Sequence, residues 1–325
     1  MKEFLFEESR PFRSCHASTL LELENGDTLA SYFGGTKEGA PDVGIWSSRR
    51  VGGKWNAPAL LASMPGVPHW NPVLFRAPDG RILLFYKAGE IWFNWKTMIM
   101  ESKDTGHTWN APVVLVPGDG DGEGMARGPV KNKPIVLSDG RWLAGSSIER
   151  RDGTNDVFVD ESSDNGRSWK RSDMVPLDHA TFSGPGVIQP TLWESRPGHV
   201  HMLVRSTCGR ICRSDSTDGG HTWARLSLTS LPNNGAGIDL ARLKDGTLAL
   251  AYNPIEKNRG RRNPLVLSLS KDNGATWSRT IILEPEGEEK EEYSYPAVIP
   301  HAGGVSITYT WRRERVAYTR VDLQG

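Results

Sequence analysis

An eight-residue pattern, Ser-x-Asp-x-Gly-x-Ser/Thr-Trp, occurs four times in this chain, at Ser102–Trp109, Ser162–Trp169, Ser216–Trp223 and Ser270–Trp277. A worn fifth copy keeps Ser48, Gly52 and Trp55. The starts, at 48, 102, 162, 216 and 270, lie 54–60 residues apart. A period of that size marks an array of like supersecondary units, each too small to bury a core alone. Each copy has a local mechanism. Asp-x-Gly forms a tight turn in which Gly takes positive φ and the Asp side chain accepts nearby backbone N–H groups. The Trp packs beneath as a plug. These aspartates read as folding devices rather than catalytic groups.

A second signal runs in phase with the first. Residues 19–32 around Asn25-Gly26, 72–86 around Asp79-Gly80, 134–146 around Asp139-Gly140 and 240–252 around Asp245-Gly246 each read as an apolar strand, a two-residue turn and another apolar strand. Segments 190–205 and 296–309 complete a set of six. Asn-Gly and Asp-Gly between apolar runs are the strongest short-range hairpin signal, and no long segment of helical period interrupts them. Six four-stranded units predict an all-β chain folded as a six-bladed β-propeller, with residues 1–325 as one domain. The segment Glu3–Glu7 is expected to pair with 315–323 and close the ring.

Composition narrows the function classes. Lys plus Arg and Asp plus Glu number 39 each, for a formal net charge of zero. Nucleic-acid binding driven by bulk charge would need a basic excess. No run approaches the roughly 18 apolar residues of a membrane helix. The opening Met-Lys-Glu-Phe-Leu-Phe-Glu lacks the apolar centre of a signal peptide, so a cytoplasmic protein is expected. No phosphate-binding loop, nucleotide fingerprint or metal-ligand spacing is present, so neither cofactor nor metal is expected. Cys15, Cys208 and Cys212 read as free thiols.

The Ser-x-Asp-x-Gly-x-Thr-Trp element resembles the Asp-box, or BNR repeat, of the sialidase superfamily, whose members are six-bladed propellers. The resemblance spans nearly the whole chain. It implies a set of functional positions that transfer one at a time. The first of three carboxylate-binding arginines falls on His16. The second matches Arg205, and the third matches Arg261 or Arg262. The nucleophilic tyrosine matches Tyr293 of Tyr293-Ser294. The glutamate that activates it is replaced by Gln189. The acid/base aspartate belongs in the loop 34–42, where Glu38 and Asp42 are the carboxylates.

A propeller directs its inner strands at a central axis, so their starts converge. Here those starts hold His16, Trp70, Asn71, Asn132, Lys133, Gln189, Asn234, Asp239, Tyr293 and Tyr295. Buried polar groups are costly without partners, so a polar ring at the axis points to a ligand. Arginines grip carboxylates with two prongs, Asn and Gln bind hydroxyls, and Trp70 offers a flat face to a sugar ring. The expected partner is therefore an acidic oligosaccharide or glycan, with no nucleic acid and no membrane. Three readings stay open. The first is an exo-acting glycosidase on a terminal sialic or uronic acid, with Glu38 or Asp42 as acid and Tyr293 or a water as the attacking group. The second is a uronate lyase using a His16/tyrosine pair. The third is a glycan-binding propeller without catalysis. A proton-transfer pair across a ligand-sized gap separates the first two from the third.

Overall fold

The computed structural model describes residues 2–118 and 127–323. Apart from one short 3-10 turn, Trp92–Asn94, the described elements are all strands. They form six antiparallel sheets. In chain order the innermost strands are Ser14–Glu22, His69–Arg76, Ile135–Val136, Val187–Arg196, Asp239–Arg242 and Tyr293–His301, opening blades one to six. The last blade takes its outer strand from the other end of the chain. Lys2–Phe4 pairs with Arg315–Asp322 in the register Lys2↔Thr319 to Phe4↔Ala317. The pairing strand is shorter than the Glu3–Glu7 expected, although the Leu5 amide still donates to the Val316 carbonyl at 3.0 Å.

The core explains why the strands read as unbroken apolar runs. Each sheet is covered on both faces by its neighbours, so both sets of alternating side chains are buried. One cluster lies between blades one and two, joining Leu29, Phe33 and Ile45 to Leu74, Leu84 and Met100. Its counterpart between blades five and six joins Leu265 and Leu267 to Val298 and Ile307. The contact that closes the ring sets Leu20 and Tyr32 of blade one against Ile299 and Tyr318 of blade six.

The hairpin turns differ in detail from the two-residue form. Gly26 N–H donates to Leu23 O and Leu23 N–H to Asp27 O, and the same pair of bonds recurs at 77–81, 137–141 and 243–247. These are three-residue loops. The Asn or Asp stays in the right-handed region and only the glycine (Gly26, Gly80, Gly140, Gly246; φ 84–89°) turns left-handed. A two-residue type I′ turn would need positive φ at both positions. That form appears instead in blade one, where Gly52 and Gly53 (φ 54° and 85°) link Val51 to Lys54 in place of a boxed turn.

The boxed turns behave as their pattern predicts. Asp164 Oδ1 accepts the amides of Arg167 and Ser168 at 3.1 and 2.9 Å, and Oδ2 accepts the Ser168 hydroxyl at 2.6 Å. The Ser162 hydroxyl donates to Asp164 and accepts the Gly166 amide. The Ser168 hydroxyl and amide hold the Asp164 carboxyl down at about 2. Asp104, Asp218 and Asp272 make the same bonds to Thr108, Thr222 and Thr276.

Candidate functional site

The inner strands of blades one, two, four and six share an irregularity near the axis. Their pairing slips between His16 and Thr19, Trp70 and Val73, Ile188 and Thr191, and Ser294 and Ala297. At each slip one residue that is not glycine adopts a left-handed backbone: Ala17 (φ 53°), Asn71 (41°), Gln189 (58°) and Tyr295 (53°). Such conformations cost energy and persist only where the surroundings fix them, and bulges re-aim side chains beside functional sites. Here three of the four turn a polar side chain into one axial cleft, lined by Asn71, Gln189 and Tyr295. The fourth, Ala17, presents only a methyl group.

The cleft is small and open to solvent, with a cavity volume of about 140 Å³, below the roughly 300–1,000 Å³ usual for small-molecule sites. Trp70, Trp92 and Trp95 form an aromatic wall, with the Trp70 and Trp95 rings 5.2 Å apart. Glu38, Glu149, Ile188 and Arg205 complete the lining. Arg205, on the second strand of blade four (His199–Ser206), donates through Nη1 to Gln189 Oε1 at 3.0 Å and to the Tyr295 hydroxyl at 2.6 Å. The Arg262 guanidinium lies 5.5 Å from the Tyr295 ring centre, as does that of Arg205, and the Lys131 ammonium lies 5.8 Å away. Three cations thus surround one phenol ring.

Most of these charges are already matched. Glu292 Oε1 accepts Arg262 Nη1 at 2.7 Å, Arg313 Nε at 2.9 Å and the Ser294 hydroxyl at 2.6 Å. Arg313 Nη1 also binds Glu38 at 2.5 Å. Lys133 binds both oxygens of Asp239, at 3.0 and 2.9 Å. Arg205 differs: among the described residues its partners are the neutral Gln189 and Tyr295 side chains, and no carboxylate lies within ion-pair distance.

His16 lies behind Tyr295, its ring centre 4.1 Å from the phenol ring and its surface 1 % exposed. Its Nδ1 is 2.7 Å from the Thr310 hydroxyl, while Nε2 is buried without a hydrogen-bond partner. Burial first, then Arg313, Arg262, Lys131 and Arg205, hold its pKa well below the usual histidine value, so it is neutral. Lys131 is buried too. Its ammonium donates to Asn132 Oδ1 and to the Ile238 and Pro296 carbonyls. Burial, with Lys133 and Arg205 nearby, pushes its pKa down to about 7 against the pull of Asp239.

The structure therefore brings Trp70, Asn71, Gln189, Arg205, Tyr295 and Glu38 to one cleft and distributes the other expected residues differently. Tyr293 packs in the apolar layer between blades five and six, 6.3 Å from the Trp311 ring. The slip after Ser294 gives the inward place to Tyr295 instead. Asp42 accepts the Thr36 amide and hydroxyl at 2.9 and 2.6 Å and so fastens its own loop. Asn132 caps the Gln189 and Pro190 carbonyls. Asn234 donates to the Arg261 carbonyl, and Asp239 receives the Thr191 hydroxyl and Val298 amide as well as Lys133. These polar groups knit blades across the axis. Arg261 pairs with Glu286 beside a separate groove, and Arg262 reaches Tyr295 while tied to Glu292. Lys131, Glu149, Glu292, Arg313, Trp92 and Trp95 were not legible as site residues. Glu149, Glu292 and Arg313 have charged neighbours that resemble a solvated edge, Lys131 precedes the Asn132-Lys133 pair, and Trp92 and Trp95 lie in an aromatic segment between two strands. Among the described residues no group of three or more His, Cys, Asp or Glu is placed to hold a metal.

Six closed blades, boxed outer turns and a polar axial cleft define a sialidase-superfamily β-propeller. The BNR repeat-like domain model matches residues 26–307, and the chain belongs to that family. A curated relative, a sialidase of Micromonospora viridifaciens, is 26 % identical over 243 residues, covering 68 % of this chain and 35 % of the relative. The chain thus spans about a third of the length of that relative. Among solved structures, a Hadza microbial sialidase superposes with a TM-score of 0.83 at 16 % identity, covering 100 % of this chain and 69 % of its own. A Dyadobacter fermentans protein of unknown function superposes at 0.80 with 18 % identity, covering 99 % and 97 %. At these identities the structural likeness establishes the fold.

Proposed function

We propose that this chain is an exo-acting glycosidase of the sialidase type that takes a terminal acidic sugar into the axial cleft. The observation that carries the reading is Arg205, a cation on the cleft wall whose side-chain partners among the described residues are neutral. A fixed guanidinium that no carboxylate ion-pairs among the described residues favours an incoming carboxylate, which it can grip with two parallel hydrogen bonds. The tryptophan wall suits the apolar face of a sugar ring, and the Asn71 amide suits its hydroxyls. The Tyr295 oxygen, held by Arg205, lies at the cleft floor. There it can meet the positive charge that develops at the anomeric carbon, or bond to that carbon. The family membership and the sialidase relative agree with this reading.

The lyase alternative gains nothing from the geometry. Elimination needs a base and an acid on either side of the substrate, whereas the His16 and Tyr295 rings are in contact and His16 is sealed behind the phenol. Incubation of the full chain with aryl and natural glycosides of sialic and uronic acids tests the proposal. Release of the saturated acidic sugar is expected. An unsaturated, ultraviolet-absorbing uronate would replace hydrolysis by elimination. Saturable binding of the acidic sugar without turnover would leave a binding propeller, and turnover of neutral glycosides alone would remove the role given to Arg205.

A further inference from the structure

We propose that Glu149, on blade three, is the catalytic acid of this cleft. The inference rests on the glycosidase reading and deepens it. Glu149 ends the second strand of its blade (Trp142–Glu149), near the place that Arg205 holds on the second strand of blade four. Both side chains line the cleft that holds Gln189 and Tyr295.

A general acid must hold its proton until the glycosidic oxygen needs it. A carboxyl beside a cation is held ionised and makes a poor donor. That separates the carboxyls around this cleft. Glu38, the other one on its wall, is bound by Arg313 at 2.5 Å. Glu292 serves Arg262 and Arg313, Asp239 serves Lys133, and Asp42 is consumed by its own loop. The Glu149 carboxyl has no hydrogen bond or ion pair among the described residues. Its surroundings on the wall include Trp70, Trp95 and Ile188, which remove water without supplying a charge. Burial accordingly lifts its pKa above the ordinary glutamate range, against the opposing pull of Arg205. Arg205 and Glu149 thus divide the work: one holds fixed positive charge for the substrate carboxylate, the other a proton for the leaving group.

The step balances as follows. The bond from the anomeric carbon to the glycosidic oxygen breaks with its electron pair going to oxygen, which takes the Glu149 proton and departs as an alcohol. The cation left at the anomeric carbon is stabilised by the Tyr295 oxygen and the sugar's own carboxylate. Water then adds to that carbon and gives its proton to the Glu149 carboxylate, restoring the acid.

The test compares two leaving groups, using the acidic sugar that the wild-type chain releases. With an unactivated sugar leaving group, Glu149→Gln is expected to lose about 10²–10⁴-fold in kcat with KM little changed. With an acidic phenol, which leaves without protonation, the loss should be under about tenfold. Equal losses on both, or a rise confined to KM, would make Glu149 a hydroxyl-binding residue and overturn the proposal. Unchanged turnover would overturn it as well. Should Glu149→Gln fail to fold, Glu149→Asp keeps the carboxyl one methylene back and should retain part of the unactivated-substrate activity that Glu149→Ala loses; equal activity in the two would also overturn it. An infrared difference titration of the wild type against a folded Glu149 variant supplies a readout independent of substrate. A midpoint above the usual ~4.3 is expected, and one at or below it would refute the donor role. Absence of turnover by the wild type is a distinct result: it removes the glycosidase reading, and the donor role with it.

Discussion

The outer rim and the axis of this propeller each contain four repeated left-handed turns, and what repeats with them differs. At the rim, Thr105, Asn165, Gly219 and Asn273 (φ 57–74°) precede the box glycines. The bonds that shape each turn lie within the same eight residues, such as those Asp218 accepts from the Thr222 amide and hydroxyl. Each left-handed residue adds one to a segment outside the box: the Thr105, Asn165 and Asn273 carbonyls accept from Arg49, Arg81 and Arg213, and the Gly219 amide donates to the Gly198 carbonyl. At the axis, Ala17, Asn71, Gln189 and Tyr295 are left-handed with no common local motif. Their partners come from far along the chain: Thr310 receives the Ala17 amide across 293 positions, and Arg205 reaches Tyr295 across 90. The rim repeats one local bonding pattern and anchors it to an adjacent segment in the same manner each time. The axis carries four different side chains on one repeated distortion, which is how a symmetric fold builds an asymmetric site.

The comparison can be broken most directly at Tyr295. Tyr295→Phe keeps the ring against His16 and Lys131 but removes the oxygen. We expect kcat/KM on the acidic glycoside to fall about 10²–10³-fold, with the melting midpoint little moved because Arg205 keeps Gln189. Full activity would show that the axial distortion does not serve catalysis.

A smaller effect sharpens the electrostatic side. Lys131 titrates near 7 in the fold against 10.5 as a free side chain. Between those values the Lys131 side chain of the unfolded chain holds a proton that the folded chain lacks, so its contribution to stability rises with pH from about 7 to about 10.5 and is flat outside that window. Lys131→Met should abolish that rise. Melting midpoints at pH 7 and pH 9 measure it, and equal pH slopes in the two proteins would remove Lys131 as a strained cation.

The smallest effect belongs to a single box. Asp218→Ala deletes bonds to two amides and two hydroxyls at one exposed turn. We expect the midpoint to drop by about 2–4 °C at neutral pH, with activity per folded molecule unchanged. Asp218 titrates at about 2 in the fold, below its unfolded value, so its contribution is present above roughly pH 4 and is lost as pH falls toward 2. A loss of turnover without loss of folded protein would break the division between rim and axis.

How much was readable follows the same division. The box writes its turn in adjacent letters, so its position, positive-φ glycine and Trp plug were legible. So was the pairing of the chain's opening residues with the last blade, because an apolar strand without a partner at each end leaves one solution. The hairpin loops were placed correctly but one residue too short, since Asn-Gly and Asp-Gly do not by themselves reveal whether the first residue turns left-handed. At the axis, Trp70, Asn71, Gln189, Arg205 and Tyr295 were legible as members of a polar ring. The inward choice between Tyr293 and Tyr295 was not: strand alternation puts both on one face, and only the slip after Ser294 separates them. Glu149 was missed because it ends a strand beside Arg150 and Arg151, where a glutamate reads as solvated.

The amino-acid sequence alone determined the number of blades, their boxed turns and their closure, because those features depend on patterns within a few residues and on apolar runs that must be covered. Which polar side chains meet, which charges are neutralised and which carboxyl is left unpaired were decided by the tertiary structure. Those outcomes depend on distances between strands that lie far apart in the chain, and on a backbone slip that no local residue pattern records.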